Sequence, residues 1–275
     1  MIAAEVIADS ISPDGVRLTT LQVDMHRFVL PEFNTHRCMA RNSASSRAIP
    51  LAKRIEQVRT DPAVPIEWGR NQPGMQAETQ LEGDDLREAQ WAWRMAAEHA
   101  ADRAEELAGL GLHKQVAARI LEPFLWHRVV VSATDWAGFF AQRCSPLAQP
   151  EIRAAAEAMR AAMNASTPRE IDYGQWHLPY VDESERVFGA LARARSVARC
   201  ARVSYLNEGK RDPDGDLRLY HRLLDARPVH ASPFEHVATP RRPMDMPPAG
   251  NFTGWHQLRH VLQLDQYLTS SEVTS

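Results

Sequence analysis

The sequence lacks a cysteine pair. Cys38, Cys144 and Cys200 are scattered through 275 residues and no Cys-x-x-Cys occurs, so neither a disulfide framework nor a zinc knuckle organises the chain. It also lacks a basic excess: 32 Lys and Arg stand against 35 Asp and Glu, for a formal charge of -3. A protein whose main task is to hold nucleic acid carries surplus positive charge. No nucleic-acid partner is expected, and a local basic cluster reads a small anion instead. No apolar run approaches 18 residues, so no membrane span is expected. The opening MIAAEVIADSISPDGVRLTT is acidic and interrupted by Pro13 and Gly15, unlike a signal peptide. The expected compartment is the reducing cytoplasm. Neither Gly-x-Gly-x-x-Gly nor Gly-x-x-x-x-Gly-Lys-Ser/Thr occurs, so a dinucleotide-binding turn and a P-loop are unsupported. His-Glu-x-x-His is missing too. His256 and His260 have i,i+4 spacing for one helical face but no third ligand in view, so no metal is expected.

What is present is an ordinary globular composition, with 44% hydrophobic and 24% charged residues. Residues 16–25 alternate and read as a strand. Pro31 and Glu32 read as the start of a helix, and the arginine-rich stretch runs off it into a loop ending at Pro50. Residues 51–61 form an amphipathic helix, 62–75 a proline-rich loop, and 84–107 the most clearly patterned helix. A second helix over 112–124 stops at Pro123. Residues 126–136 fit a strand or a helix start capped by Ser132 or Thr134. Two helices broken at Pro146 occupy 136–164, and 175–181 is irregular. Residues 185–206 and 217–227 are helical around a polar turn. Residues 228–240 run from loop into strand, and 253–268 make a last helix.

One stretch resists a structural explanation. NTHRCMARNSASSRAIP (34–50) holds three arginines, a histidine and many small polar side chains, with no large apolar run to anchor it. Arg37, Arg41 and Arg47 carry forked donors suited to phosphate oxygens. Asn42, Ser43, Ser45 and Ser46 add neutral donors. A solvated loop is the plain alternative.

From His36 the stretch reads H-R-x-x-x-x-N-x-x-S-x-R. It resembles the signature R-H-R-x-x-S-x-N-x-x-S-x-R of the flavin-dependent thymidylate synthases (ThyX), with Thr35 and Ala40 departing from it. FFAQRCSPLAQPEIR is similar to that family's F-x-x-x-R-x-x-x-x-A-Q-x-E-I-R, and VAARILEP to its A-R-x-x-L-P helix. The segment ARVSYL…HASPFEHV resembles the family's A-R-V-S-Y…H-x-S-P-F-E-H through Ala201, Arg202, Ser204, Tyr205, His230, Ser232, Glu235 and His236. In the usual family it precedes the arginine signature, whereas here it follows. The resemblance is therefore to a permuted, divergent, virus-type (phage) member.

That resemblance implies an α+β, ThyX-like mixed fold, with helices packed on a small antiparallel sheet and the motif order permuted. It implies a single domain over 1–275, in which a helical segment at 73–110 has no assigned role. It implies a homotetramer with FAD between subunits, and methylenetetrahydrofolate and NADPH as co-substrates. His36, Arg37, Asn42, His230, Ser232 and Glu235 would contact the cofactor. Ser43, Ser45, Arg47, Arg119 and Arg143 would hold a deoxypyrimidine monophosphate, with Arg119 and Arg143 each on a helix facing the site. Arg119 has an alternative role in an ion pair with Glu122. His236 reads equally as structural, and Gln149 and Glu151 as a helix start.

The implied reaction carries a one-carbon unit to C5 of the pyrimidine, dUMP to dTMP being favoured. Reduced flavin then supplies a hydride and no protein nucleophile is needed. Cys38 lies between Arg37 and Arg41, whose charges would favour a thiolate, but packing is the preferred role. Ser43 stands where the family usually carries a glutamate. With Thr35 and Ala40 it leaves open a dCMP or dUMP hydroxymethylase, or a non-catalytic flavin- or nucleotide-binding relative.

Overall fold

Ala3–Ile11 (β1) and Arg17–His26 (β2) form an antiparallel hairpin. Its turn passes through Gly15 at a φ of +76°, a conformation open to a residue without a Cβ. The structure is a computed structural model that describes residues 1–245 and 250–264. After the hairpin come Leu30–Asn34 (α1), Ala40–Ser43 (β3), Leu51–Thr60 (α2) and the long Gly83–Gly109 (α3). Lys114–Ala117 (α4), Trp126–Ala133 (β4), Ala137–Arg143 (α5) and Pro150–Ala165 (α6) follow. Next are Arg169–Glu170 (β5), Glu183–Arg186 (α7), Ala190–Arg202 (α8) and Pro213–Asp225 (α9). Ala238–Pro240 (β6) pairs with Trp255–Gln257 (β7), and Leu258–Val261 (α10) closes the described elements.

Five strands make the main sheet in the order β3-β4-β2-β1-β5, antiparallel except for the short β1–β5 pairing. Alternation sorts its side chains. Leu21, Val23 and Met25 of β2, with Val129, Val131 and Ala133 of β4, face α6, which returns Ile152, Ala155, Ala156, Met159 and Met163. α6 forms because alanines dominate it and Pro150 occupies a first-turn position, where no amide bond is lost. On the opposite face Val130 packs with Cys200 and Val203 at the end of α8. Both faces of the sheet are covered, which is why β4 stays buried along most of its length.

The α8 face is also wired by polar groups. His236 Nδ1 bonds Ser132 Oγ (2.8 Å), Ser132 bonds Thr20 Oγ1 (2.5 Å), Thr20 bonds His177 Nε2 (2.8 Å), and His177 Nδ1 bonds Ser10 Oγ (2.9 Å). This seam crosses β4, β2 and β1, and all five members are buried. Burial pushes both rings down to about 3, so both are neutral. Beside the seam, Arg199 of α8 is fully buried. It donates to Glu185 (2.6 Å), to Asp216 Oδ2 (3.0 Å) and to the Tyr180 carbonyl (2.8 Å). Arg202 donates to Asp216 Oδ1 (2.8 Å). Asp216 thus clamps α9 to α8.

Several expectations are met: the strand over β2, the strand rather than the helix over β4, the helices α2, α3, α5 and α6, and the break at Pro146. α9 is met in type but starts at Pro213, inside the expected polar turn, because Asp212 caps it and Pro213 suits its first turn. Others are corrected. Residues 34–50 are not all loop, because β3 pairs with β4 inside them. Residues 112–124 hold only the short α4, then a 3-10 helix over Ala118–Phe124 in which Pro123 sits. Residues 185–206 break at Gly189, at a φ of +53°, and end in a 3-10 turn, Val203–Tyr205. The last helix is shorter than expected: Trp255–Gln257 is strand, and 265–268 lie outside the described residues. His256 and His260 consequently do not share one helical face. β1 is a strand that the pattern did not announce. The segment of unassigned role contains α3, whose Ala97, Ala101 and Ala104 lie against α2 and the Ala118–Phe124 turn. Among the described residues no helix is long and apolar enough to cross a membrane.

Candidate active site

β3 carries the centre of the arginine-rich stretch at the sheet edge. Its alternation buries Asn42 and leaves Arg41 and Ser43 half-buried on the other side. Arg41 is consumed locally, donating to the His36 carbonyl (2.8 Å) and to that of Phe33. It braces the turn that leads into β3 rather than offering its fork to an anion. After β3 the chain turns at Ser45, whose carbonyl accepts from the amides of Ala48 and Ile49 (both 3.1 Å). The Ser45 amide donates to the Ser204 carbonyl (3.1 Å) and ties this turn to the end of α8. Lys114 Nζ reaches the Ala48 carbonyl (3.3 Å), which brings α4 alongside.

A cavity of about 560 Å³ opens where these pieces meet. Asn42, Ser45 and Arg47 line it from the arginine-rich stretch, and His230 and Ser232 from the segment around the 3-10 turn Ser232–Glu235. Ala201, Ser204, Tyr205, Leu219, Leu223 and Pro233 supply mostly apolar wall. Gln115 and Arg222 complete the polar set. Among the described residues no carboxylate lines the cavity. Donors grouped on an apolar floor, with free guanidinium charge, suit a ring compound bearing an anionic group.

The remaining expected site residues lie elsewhere in this chain. His36 and Arg143 form a pair of their own: Arg143 Nε donates to His36 Nε2 (3.0 Å), and the His36 ring meets Phe139 edge-on at 4.9 Å. An accepting Nε2 requires the neutral ring with its proton on Nδ1. Burial, then the charges of Arg143 and Arg41, hold His36 below its usual range. Arg143 also reaches Thr35 Oγ1 (3.3 Å) and borders a second hollow of about 700 Å³. Arg37 is exposed, and its carbonyl accepts from Asn251 (3.2 Å). Ser43 does not line the cavity. Arg119 sits on the 3-10 turn, exposed and outside the cavity, and does not pair with Glu122, which pairs with Arg27 (3.5 Å). Glu235 is held by Arg259, and its carbonyl accepts from Gln257 (3.0 Å).

His236 is buried in the polar seam, the structural option. α6 begins at Pro150, so Gln149 in the N-cap position and Glu151 in the first turn lie at the expected helix start. The Gln149 side chain makes no capping bond, and Glu151 accepts from the Ile66 amide (2.9 Å) of the preceding loop. Cys38, expected to pack, is exposed. Gln115 and Arg222 were missed. Gln115 lies four residues before Arg119 on what reads as one helix, and only the change to 3-10 geometry separates them. Arg222 has no distinguishing signal in a helix rich in arginine.

The family model described as thymidylate synthase complementing protein matches residues 16–169, more than half of the chain. The chain belongs to the thymidylate synthase complementing family. That family (ThyX) works on pyrimidine nucleotides, and the matched residues include the whole arginine-rich stretch and Arg143. The Ser-Pro-Phe-Glu-His segment lies beyond the match, yet it lines the same cavity as the ThyX signature.

Among solved structures the chain is similar to a UMP/dUMP methylase, PolB, from Streptomyces cacaoi, bound with 5-Br dUMP. The identity is 16% and the TM-score 0.49, covering 59% of this chain and 90% of that one. A second structure of PolB, bound with 5-Br UMP, gives 18% identity and a TM-score of 0.47 over 59% and 88%. No curated protein matches the chain by sequence.

Proposed function

We propose that this protein transfers a one-carbon unit from methylenetetrahydrofolate to C5 of a deoxypyrimidine monophosphate, dUMP in the first instance, with FAD as cofactor and NADPH as reductant. The supporting observation is the cavity in which Asn42, Ser45 and Arg47 meet His230 and Ser232 across 187 positions of sequence, from 45 to 232. Arg47 would take the phosphate, with Ser45 and Asn42 as neutral donors beside it. Binding energy at that remote group holds the pyrimidine ring in register with its reaction partner.

The residues present fit a flavin: among the described residues the cavity has polar donors, an apolar wall and no carboxylate. His230 and Ser232 would face it, and Tyr205 would wall the ring. FAD, when bound and reduced, supplies the hydride that turns a bridging methylene into a methyl. The chain's own part is to orient, to neutralise phosphate charge and to shield the ring from water. His36 and Arg143 lie outside this cavity. In our reading a homotetramer of single-domain subunits brings them to a neighbouring copy's site.

Tritium release from C5-labelled dUMP, with mass spectrometry of the product, tests the reading. Folate- and flavin-dependent release with a methyl product is expected. Release from dCMP alone would move the substrate to cytosine and the product to a 5-substituted deoxycytidylate, and a hydroxymethyl product from either nucleotide would make the protein the corresponding hydroxymethylase. No release from either nucleotide by FAD-loaded protein would leave a binder without catalysis.

A further inference from the structure

Two arginines line the cavity from different elements: Arg47 from the turn after β3 and Arg222 from the last turn of α9. Neither side chain forms a hydrogen bond or ion pair among the described residues. Asp225 lies three residues after Arg222, a spacing at which helical Arg–Asp pairs form, yet the two do not pair. Buried arginines nearby behave differently: Arg199 and Arg202 are both committed to Asp216. Two uncommitted like charges beside one cavity, with no carboxylate among the described residues that line it, repel each other until an anion enters. A last-turn arginine also favours the helix C-terminus, but that role needs only a charge and not a fork facing the cavity.

We propose that Arg222 is the second phosphate-binding arginine of this site, and that Arg47 and Arg222 together select the doubly ionised phosphate of a nucleoside monophosphate. The proposal rests on reading the cavity as the nucleotide site. The charge match is specific. A phosphate monoester approaches two negative charges above a second pKa of about 6 and carries one below it. Each phosphate of a diphosphate bridge, as in FAD, carries a single charge, so the flavin is the competing source of the same chemistry. The sequence-based expectation gave the accompanying charges to Arg119 and Arg143, and neither lines the cavity in this chain.

Calorimetric titration tests the assignment with dUMP, deoxyuridine and FAD as probes, on wild type, Arg222→Gln and Arg222→Lys. Arg222 is exposed to the cavity, and thermal unfolding verifies that both variants fold. Arg222→Gln should weaken dUMP by roughly 10- to 100-fold, the range of a lost charge-assisted hydrogen bond. Deoxyuridine and FAD should change by less than about twofold, because neither offers the dianion. Arg222→Lys should fall between, keeping the charge and losing the fork. Between pH 7.5 and 5.5 wild type should lose dUMP affinity more steeply than Arg222→Gln. Equal dUMP affinity in wild type and Arg222→Gln overturns the assignment and leaves the nucleotide site standing. A loss confined to FAD overturns it too, moving Arg222 to the flavin. Wild type that binds no dUMP removes the site reading itself, and the proposal with it.

Discussion

The two faces of the main sheet are built on opposite terms. Against α6 the contact is apolar from Leu21, Val23 and Met25 to Ile152, Met159 and Met163, with polar bonds at its far end, where Arg17 donates to the Met163 carbonyl (2.9 Å). Against α8 the same strands present Thr20 and Ser132, and the layer beyond holds His177, His236, Arg199 and Asp216, all buried. Dispersion and area burial hold the first face, and these depend on volume more than on identity. Paired polar groups hold the second, and losing one partner strands the other. The cavity opens on the polar side, where Leu219 and Leu223 belong to α9, which Asp216 clamps to α8, and Tyr205 to the 3-10 turn that follows α8. Precision has been placed beside the site and bulk adhesion behind it.

The largest expected effect is on the clamp. Asp216→Ala leaves Arg199 and Arg202 without their shared carboxylate and should cost about 3–5 kcal/mol in urea unfolding. A cost near 1 kcal/mol would show that Glu185 and the Tyr180 carbonyl suffice, and the two faces would be less different than they look. Next is Arg47→Ala. It should weaken dUMP binding by about 2–4 kcal/mol while leaving the unfolding midpoint unchanged, which separates the site from the scaffold around it. An unaltered dissociation constant removes Arg47 from the phosphate.

Acid should then act on the polar face. His177 is held down to about 3 by burial first, then by the charge of Arg186, against the opposing pull of Asp9. His236 is held down to about 3 by burial. A folded pKa below the unfolded value near 6.5 makes the neutral ring part of the native state. The stability it brings is complete above about pH 6.5 and drains away as pH falls toward 3, by up to about 1.4 kcal/mol per unit for each ring. His127, lowered by burial and by Arg27 and Arg54, acts in the same direction. The urea midpoint should drop between pH 7.5 and 5, and a flat profile would contradict neutral burial. The smallest effects come as a matched pair. Thr20→Val should cost about 1–3 kcal/mol by breaking the seam, and Met159→Leu less than about 1.5 kcal/mol on the apolar face. A reversal of that order would sink the comparison.

Legibility in the sequence follows the same division. The apolar face announced itself, because β2 alternates and α6 repeats alanine and methionine at helical spacing. β1 did not: Ala4, Ala8, Asp9 and Ser10 weaken its alternation, and a bulge between Val6 and Ala8 shifts its register. At the site the arginine-rich stretch was legible by its donors and Ser232 by its motif. Their meeting in one cavity is tertiary. Gln115 took the place expected of Arg119 because the helix tightens at Ala118. A 3-10 turn advances about 120° per residue against about 100° in an α-helix, so the one or two tightened steps before Arg119 turn it about 20–40° further from Gln115. Arg41 was indistinguishable from Arg47 until its carbonyl partners were known.

The inverted order of the two site segments has a consequence for the newborn chain. β3 is the outer strand of the sheet; the Ser232–Glu235 turn lies against it, and just past its end the Ser45 amide donates to the Ser204 carbonyl. At synthesis rates of about 5–20 residues per second, roughly 10–40 s separate the emergence of these partners. Through that interval the sheet can assemble, but the strand edge that will carry Asn42 stays unprotected and open to pairing with another chain. Contacts so distant along the sequence also form slowly once both ends are free. The part of the molecule that becomes competent last is therefore the part that binds, and expression yield should respond to chaperone supply more than the equilibrium stability alone would suggest.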